Sequence, residues 1–453
     1  MKRTCSFLSL FLSLLFLFAS CAGNGVIAPA GTPSDAQSGA GNSAVLPLTP
    51  GGSTAADTSL QTPSDAKTLL EKGDLMRGIT ARAPSVGKPD DAFLSAQTAF
   101  DLALFREIAE AHKGENVVLS PFSAAVALAM TANGAAGQTA KEMWKLLGGE
   151  LSPDALNEGL YCCLKALTGE ESALTFADAI FYADIAGFEV LPEFLQKNAD
   201  YYNASAYKLP FDDEAVKAVN AWVREHTAGR IEKIIEAFGE NARMLLINAL
   251  CFDAEWEEWY PENMQRPGVF FTEGGEQTVT MMYSEERAYL NDGKATGFIK
   301  PYKNGYSFAA LLPNENVTLD EYIASLDAAS LLRTLRSAEK RRIDTGMPQF
   351  KSDFGADLKE TLAALGMPAA FSLAADFSNI NGKNDLYIEK VIHKCSISVD
   401  GKGTEAGAAT AVEIYTKGIS DNPAVVLNRP FLYMILDDST GLPVFMGTLS
   451  SVA

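Results

Sequence analysis

Hydrolytic catalysis most often rests on an imidazole base, and this chain of 453 residues holds only three histidines, His112, His226 and His393. None lies in a nucleophile or metal motif: GxSxG, HExxH and phosphate-binding glycine loops are all absent. The most unusual stretch lies elsewhere, between Asp400 and Pro430, DGKGTEAGAATAVEIYTKGISDNPAVVLNRP. Gly403 to Val412 is small, free of proline and uncharged except at Glu405. A long surface loop ordinarily carries Pro, Asn, Asp and Gly to fix its turns. This one runs instead into strand formers, Val412, Ile414 and Tyr415. Read with a period of two, Thr404, Ala406, Ala408, Thr410, Val412 and Ile414 share one face, small or β-branched and fit for burial. Glu405, Gly407, Ala409, Ala411, Glu413 and Tyr415 share the other, which carries both carboxylates. Taken by themselves, these residues fit two readings: a flexible surface linker, or a segment written as a strand that begins with residues small enough to stay mobile.

The elements that must position this stretch are strands on either side, Leu386–Val399 before it and Pro430–Leu436 after it. Further back, Ala92 to His112 has helical spacing in Phe93, Ala96, Phe100, Ala103, Leu104 and Ile108, with Asp91 available as a cap. A short strand enters a helix at Ser120-Pro121, proline being allowed at a helix start. Asp154–Leu167 reads as an amphipathic helix, and Thr175–Tyr182 and Met244–Phe252 read as strands. Gly268–Tyr283 and Lys300–Pro313 read as hairpin-like strands. Long strands interleaved with separate helices make the domain α+β rather than alternating α/β.

Several of these segments resemble the serpin family. They are Asn116 to Ala140, NVVLSPFSAAVALAMTANGAAGQTA, the run LYIEKVIHKCSISV from Leu386, GTEAGAAT from Gly403, NRPF from Asn428 and PVFMG from Pro443. Asn220 to Ile231, NAWVREHTAGRI, is similar to the helix that covers the main sheet in that family, here read as Val216–Ala237. The likeness runs from about residue 92 to 450. It implies a serpin fold: a large mixed β-sheet, two smaller sheets, about eight or nine helices and an exposed reactive-centre loop. It implies a suicide-substrate inhibitor whose loop is cut by a serine protease and then inserts as a new strand, a known case of strand addition. Gly403, Thr404, Glu405, Ala406, Gly407, Ala408, Ala409 and Thr410 would form the hinge, and Lys417–Gly418 the scissile bond, which suits a trypsin-like protease. The segment from Gly418 to Pro430 is slightly long, so the register can slide toward Tyr415 or Ile419, and Gly401 stands where many inhibitory members have Glu. The family likeness also assigns Ser120, Ser123, Asn248 and His393 to a polar network under the sheet, and Trp256 to its upper end. No catalytic residue, cofactor or metal is implied. The alternatives are a non-inhibitory member used for binding or storage, or an inhibitor of a cysteine protease.

A net charge of −20 speaks against an electrostatic hold on nucleic acid. Apolar residues make up 47%, enough for a sizeable core. Of six cysteines, those at 162, 163, 251 and 395 sit in apolar runs without metal-ligand spacing and read as buried thiols. Lys2 and Arg3 precede an apolar run from Phe7 to Ala19, too short to span a bilayer, which ends in Leu17-Phe18-Ala19-Ser20-Cys21. This is similar to a bacterial lipoprotein signal, with Cys21 as the lipidated residue. Residues 1–20 thus read as signal peptide, 21–90 as a disordered tether rich in Gly, Ala, Ser and Pro, and 91–453 as the serpin domain. Leu69–Ile79 is less biased and is a candidate to pack on the domain. The expected setting is outside a bacterial membrane, as a lipid-anchored monomer whose partner is the protease it captures.

Overall fold

Met244–Phe252, MLLINALCF, is buried at all nine positions. Met244, Leu246, Leu250 and Phe252 face the larger apolar core, and Leu245, Ile247, Ala249 and Cys251 face a second, smaller one. An unbroken apolar run is what a strand covered on both sides requires. Asn248 is the polar exception, and a buried amide must find its hydrogen-bond partners inside the sheet.

The computed structural model describes residues 64–85, 87–169, 172–404 and 422–452. The helices are α1 Ser64–Gly73, α2 Asp91–Ala111, α3 Pro121–Ala132, α4 Gly137–Gly148, α5 Pro153–Leu167 and α6 Pro192–Tyr202. They continue with α7 Asp213–His226, α8 Leu319–Ser325, α9 Ala328–Arg336, α10 Lys359–Ala364 and α11 Ser378–Asn381. The first strands are β1 Val117–Leu119, β2 Leu174–Ala183, β3 Ser205–Leu209, β4 Met244–Phe252, β5 Ala254–Glu255 and β6 Gln265–Thr272. Next come β7 Gly275–Asn291, β8 Ala295–Pro301, β9 Tyr306–Pro313, β10 Glu339–Pro348 and β11 Phe350–Asp357. The last are β12 Ile388–Val399, β13 Gly403–Thr404, β14 Ala424–Val426, β15 Phe431–Asp437 and β16 Pro443–Leu449.

The main sheet is mixed and runs β3-β2-β4-β12-β13-β5, with β11 also on β12. β4 and β12 are parallel neighbours, while β2 is antiparallel to β4 and β11 to β12. The other strands form one nine-stranded sheet, β1-β16-β15-β9-β8-β7-β10-β14 with β6 on β7. Two small sheets were expected. Among the described residues they are joined because β7, 17 residues long, pairs with β8 at one end and with β6 and β10 along the rest. The α+β class holds, with eleven α-helices among the described residues rather than eight or nine. The surplus comes from short pieces such as the four-residue α11 and the six-residue α10.

Three boundaries move. The cap of α2 is Asp90, whose carboxylate accepts from the Phe93 N–H at 2.8 Å, so Asp91 is the first helical residue. The helix expected over Val216–Ala237 stops at His226. There Ala228 and Gly229 both turn to positive φ, 50° and 81°, and Asn220 fixes the return by accepting from the N–H groups of Ile234 and Ile235. Ile231 and Ile235 then extend the apolar cover of the sheet without a helix. Finally, residues 64–73, placed in the tether by composition, form α1. Ala66 and Leu70 join the smaller core beside α7, and Leu75 N–H donates to Ala206 O at 2.9 Å. A flexible composition does not prevent folding where two or three apolar side chains find a surface to cover.

Candidate functional site

Asp178 on β2, Asn248 on β4 and His393 on β12 stand side by side across three neighbouring strands. The N-terminus of α3 meets this row. Ser120 caps the helix, its Oγ accepting from the Ser123 N–H at 3.2 Å, while its own N–H donates to His393 Nε2 at 3.1 Å. Because Nε2 accepts, the ring proton sits on Nδ1, which donates to Asn248 Oδ1. Asn248 Nδ2 in turn donates to Ser123 Oγ and to Asp178 Oδ1. Ser123 Oγ also lies 3.4 Å from Asp178 Oδ1, and Cys395 Sγ 3.2 Å from His393 Nε2. Burial pushes the His393 pKa down to about 3, so the ring is neutral near pH 7. Burial also pushes the Asp178 carboxyl up to about 7, opposed by the hydrogen bonds from Asn248 and Ser123. A neutral ring with both nitrogens engaged is a structural hydrogen-bonding group and has no lone pair left for a substrate proton.

A second constellation lies at the upper end of the sheet. Asp400–Gly403 forms a tight turn: Asp400 N–H donates to Gly403 O at 2.8 Å, and Asp400 Oδ1 accepts from the Lys402 and Gly403 N–H groups at 2.8 and 3.1 Å. The fully buried Trp256 holds this turn from the side, donating its Nε1–H to Asp400 O and its backbone N–H to Lys402 O, each at 2.8 Å. Tyr260 N–H reaches Gly401 O at 2.8 Å. A Cβ on Gly401 would stand 2.3 Å from the Gln265 side chain, so a glutamate there would have to displace it. The Trp256 indole stacks on Tyr302 with centroids 4.1 Å apart. The Lys300 ammonium lies 4.5 Å from the Tyr260 ring and is buried against Glu286 at 2.8 Å.

From that turn the chain enters the sheet. Gly403 pairs with Glu255, and Thr404 pairs with Ala254 on one side and Val399 on the other. A Cβ on Gly403 would lie 2.1 Å from Ala254 O, so only glycine fits. β5 resumes one residue after β4 ends, so β13 occupies the wedge where the line of β4 and β5 parts from β12. Thr404 is fully buried there, its Oγ1 2.7 Å from Tyr302 Oη.

Of the residues singled out in the sequence, Ser120, Ser123, Asn248 and His393 are thus brought together, and Gly403, Thr404 and Trp256 form a separate group above them. Glu405, Ala406, Gly407, Ala408, Ala409, Thr410, Lys417, Gly418 and Cys21 lie outside the described residues. Sequence reasoning missed Asp178, Tyr302 and the Lys300–Glu286 pair. Asp178 had a signal: it is the one charge in LTFADAIFYA, and a period of two puts it on the core side with Leu174, Ile180 and Tyr182. Tyr302 and Lys300 had none, since their partners are 102 and 14 residues away.

A mixed main sheet whose strands part around a short seated segment, set against a second, larger sheet and a cover of helices, defines the fold class. The family model described as Serpin (serine protease inhibitor) matches residues 95–452, and the chain belongs to that family. Leukocyte elastase inhibitor of Bos taurus is 31% identical over 378 residues, covering 79% of this chain and 98% of its own length. The thermophilic serpin tengpin in its native state aligns with a TM-score of 0.79 at 41% identity, over 83% of this chain and 99% of that one. The same protein in its latent state aligns less closely, with a TM-score of 0.72 at 40% identity, over 82% and 100%.

Proposed function

We propose that this protein is a suicide-substrate inhibitor of serine proteases with trypsin-like specificity. The observation that carries the reading is the register of β13. Each further loop residue, continued in the same register, would meet one residue earlier on both flanking strands. Thr404 lies opposite Ala254 and Val399, so Thr410 would arrive opposite Asn248 and His393. Residues at Thr404, Ala406, Ala408 and Thr410 would then turn inward, the small face of the alternating pattern. The parallel pair β4–β12 is therefore the seam, and the polar row is the latch that closes it.

The protease attacks Lys417–Gly418 and forms its acyl-enzyme on the Lys417 carbonyl, releasing the amine of Gly418. Water completes hydrolysis unless insertion comes first. Insertion gives each loop residue ladder hydrogen bonds worth about 0.5–1.5 kcal/mol net, against roughly 1–2 kcal/mol of backbone ordering. Alanine and glycine have little or no side-chain entropy to lose, so a small-residue hinge keeps this balance close and the step fast. The test is a titration against a trypsin-like protease. A covalent complex stable to detergent supports the inhibitor; stoichiometric cleavage with active protease left over indicates a binding or storage serpin.

The lipoprotein-like signal motivates the remainder of the reading, a chain anchored through Cys21 on the outer side of a bacterial membrane. Several acyl chains are needed for stable attachment. Cys21→Ser should appear in the soluble fraction, and a variant that stays with washed membranes removes the lipid assignment.

A further inference from the structure

The first residue of the hinge strand to pair on both sides is already in the sheet, and its side chain meets a tyrosine hydroxyl there. Thr404 Oγ1 and Tyr302 Oη are 2.7 Å apart and both residues are buried, at 0% and 3% exposure. Tyr302 has little freedom to adjust. Its ring is stacked on Trp256, packs edge-on to Phe252 at 5.0 Å, and its backbone N–H donates to Tyr306 O at 2.8 Å. Trp256 is itself tied to Asp400 and Lys402, so the ring and the turn that delivers Thr404 form one unit. The hydroxyl is dispensable for that packing, because the stacking belongs to the ring.

Resting on the inhibitory reading above, we infer that Tyr302 is a positioning residue for insertion: its hydroxyl seats Thr404 between β12 and β5 before any protease arrives. A seated hinge begins insertion with Thr404 paired on both sides. An unseated one must first bring Thr404 back into the wedge while the acyl-enzyme is exposed to water. The seat therefore acts on the division between trapping and hydrolysis and leaves the attack on the loop unchanged.

Removing either hydroxyl leaves the other buried without a partner, whereas removing both replaces the pair with apolar groups of similar shape. This asymmetry is the signature to look for. Tyr302→Phe and Thr404→Val should each raise the number of inhibitor molecules consumed per protease trapped by about fivefold or more, the lower end of leaving one buried hydroxyl unsatisfied. The rate of loop cleavage should not change. The double variant should recover toward wild type, with a coupling that a purely structural tyrosine would not show. Amide hydrogen exchange at Gly403–Thr404 of the free protein should rise in each single variant and fall again in the double. Wild-type exchange and stoichiometry in both single variants, or additive losses in the double, would overturn the seat. If the wild-type chain traps no protease, exchange alone decides the seat and the inhibitory reading fails separately.

Discussion

Asn248 and His393 stand directly opposite one another on parallel strands, and the histidine Nδ1–H donates across the seam to the amide oxygen. This bond cannot coexist with a strand inserted between β4 and β12. Everything else in the row serves it: Ser120 N–H fixes the tautomer, and Ser123 and Asp178 hold the asparagine amide group from the other side.

Asn248→Ala should therefore weaken the closed sheet. It leaves the His393 Nδ1–H and the Asp178 carboxyl short of a partner, a loss of about 1–3 kcal/mol for each group left unsatisfied. The expected outcome is a lower midpoint in thermal or urea unfolding and faster conversion to a form that no longer reacts with protease. Unchanged stability would mean that the row does not close the seam.

The two titratable members of the row pull stability in opposite directions. The His393 pKa is depressed to about 3, so its contribution is complete above pH 6.5 and is lost as pH falls from there toward 3. The Asp178 pKa is raised to about 7 from 3.8, so its contribution is present below 3.8 and is lost as pH rises through 7. The residue keeps some solvent exposure, which tempers the effect. Asp178→Asn should make the protein more stable at pH 8 and remove the decline between about pH 4 and 8, as read from urea midpoints. A variant less stable than wild type at pH 8 would contradict this.

The row shows how much could be read from sequence and why the rest could not. Strand β4 with its asparagine, and the histidine in the alternating strand β12, were visible because period and composition are local. That Asn248 and His393 are partners depends on a parallel register across 145 residues, which only the family likeness suggested. Asp178 was visible in principle as a charge in an apolar strand. The seat of Thr404 was not: the alternation marked its side chain for burial on insertion, and the structure finds it buried beforehand, because the partner is an aromatic hydroxyl supplied from 102 residues away.

At the hinge, charge should separate the two faces of the loop. Thr404→Arg would place an unpaired cation against Tyr302 in a dry wedge, which costs several kcal/mol even after relaxation. It should still be cut but behave as a substrate, since about 1.4 kcal/mol on a barrier slows a step tenfold. Glu405→Arg, on the opposite face by alternation, should keep most inhibition in the same detergent-stable complex assay. Equal inhibition by both variants would end the period-two reading.

Specificity should follow Lys417. Lys417→Ala should lose rapid inhibition of trypsin-like proteases by at least about a hundredfold, since the acidic pocket that reads a basic side chain would be left unpaired. The fragment released from the wild type should begin at Gly418 on N-terminal sequencing. A fragment starting near Tyr415 or Ile419 would move the bond.

The central claim is that the loop enters the sheet between β4 and β12 in the register already set by Thr404. A crystal structure of the cleaved chain tests it directly. The account predicts Thr410 between Asn248 and His393, their mutual hydrogen bond broken and the main sheet gaining one strand. A cleaved structure in which His393 Nδ1 still donates to Asn248, with the loop outside the sheet, would contradict it.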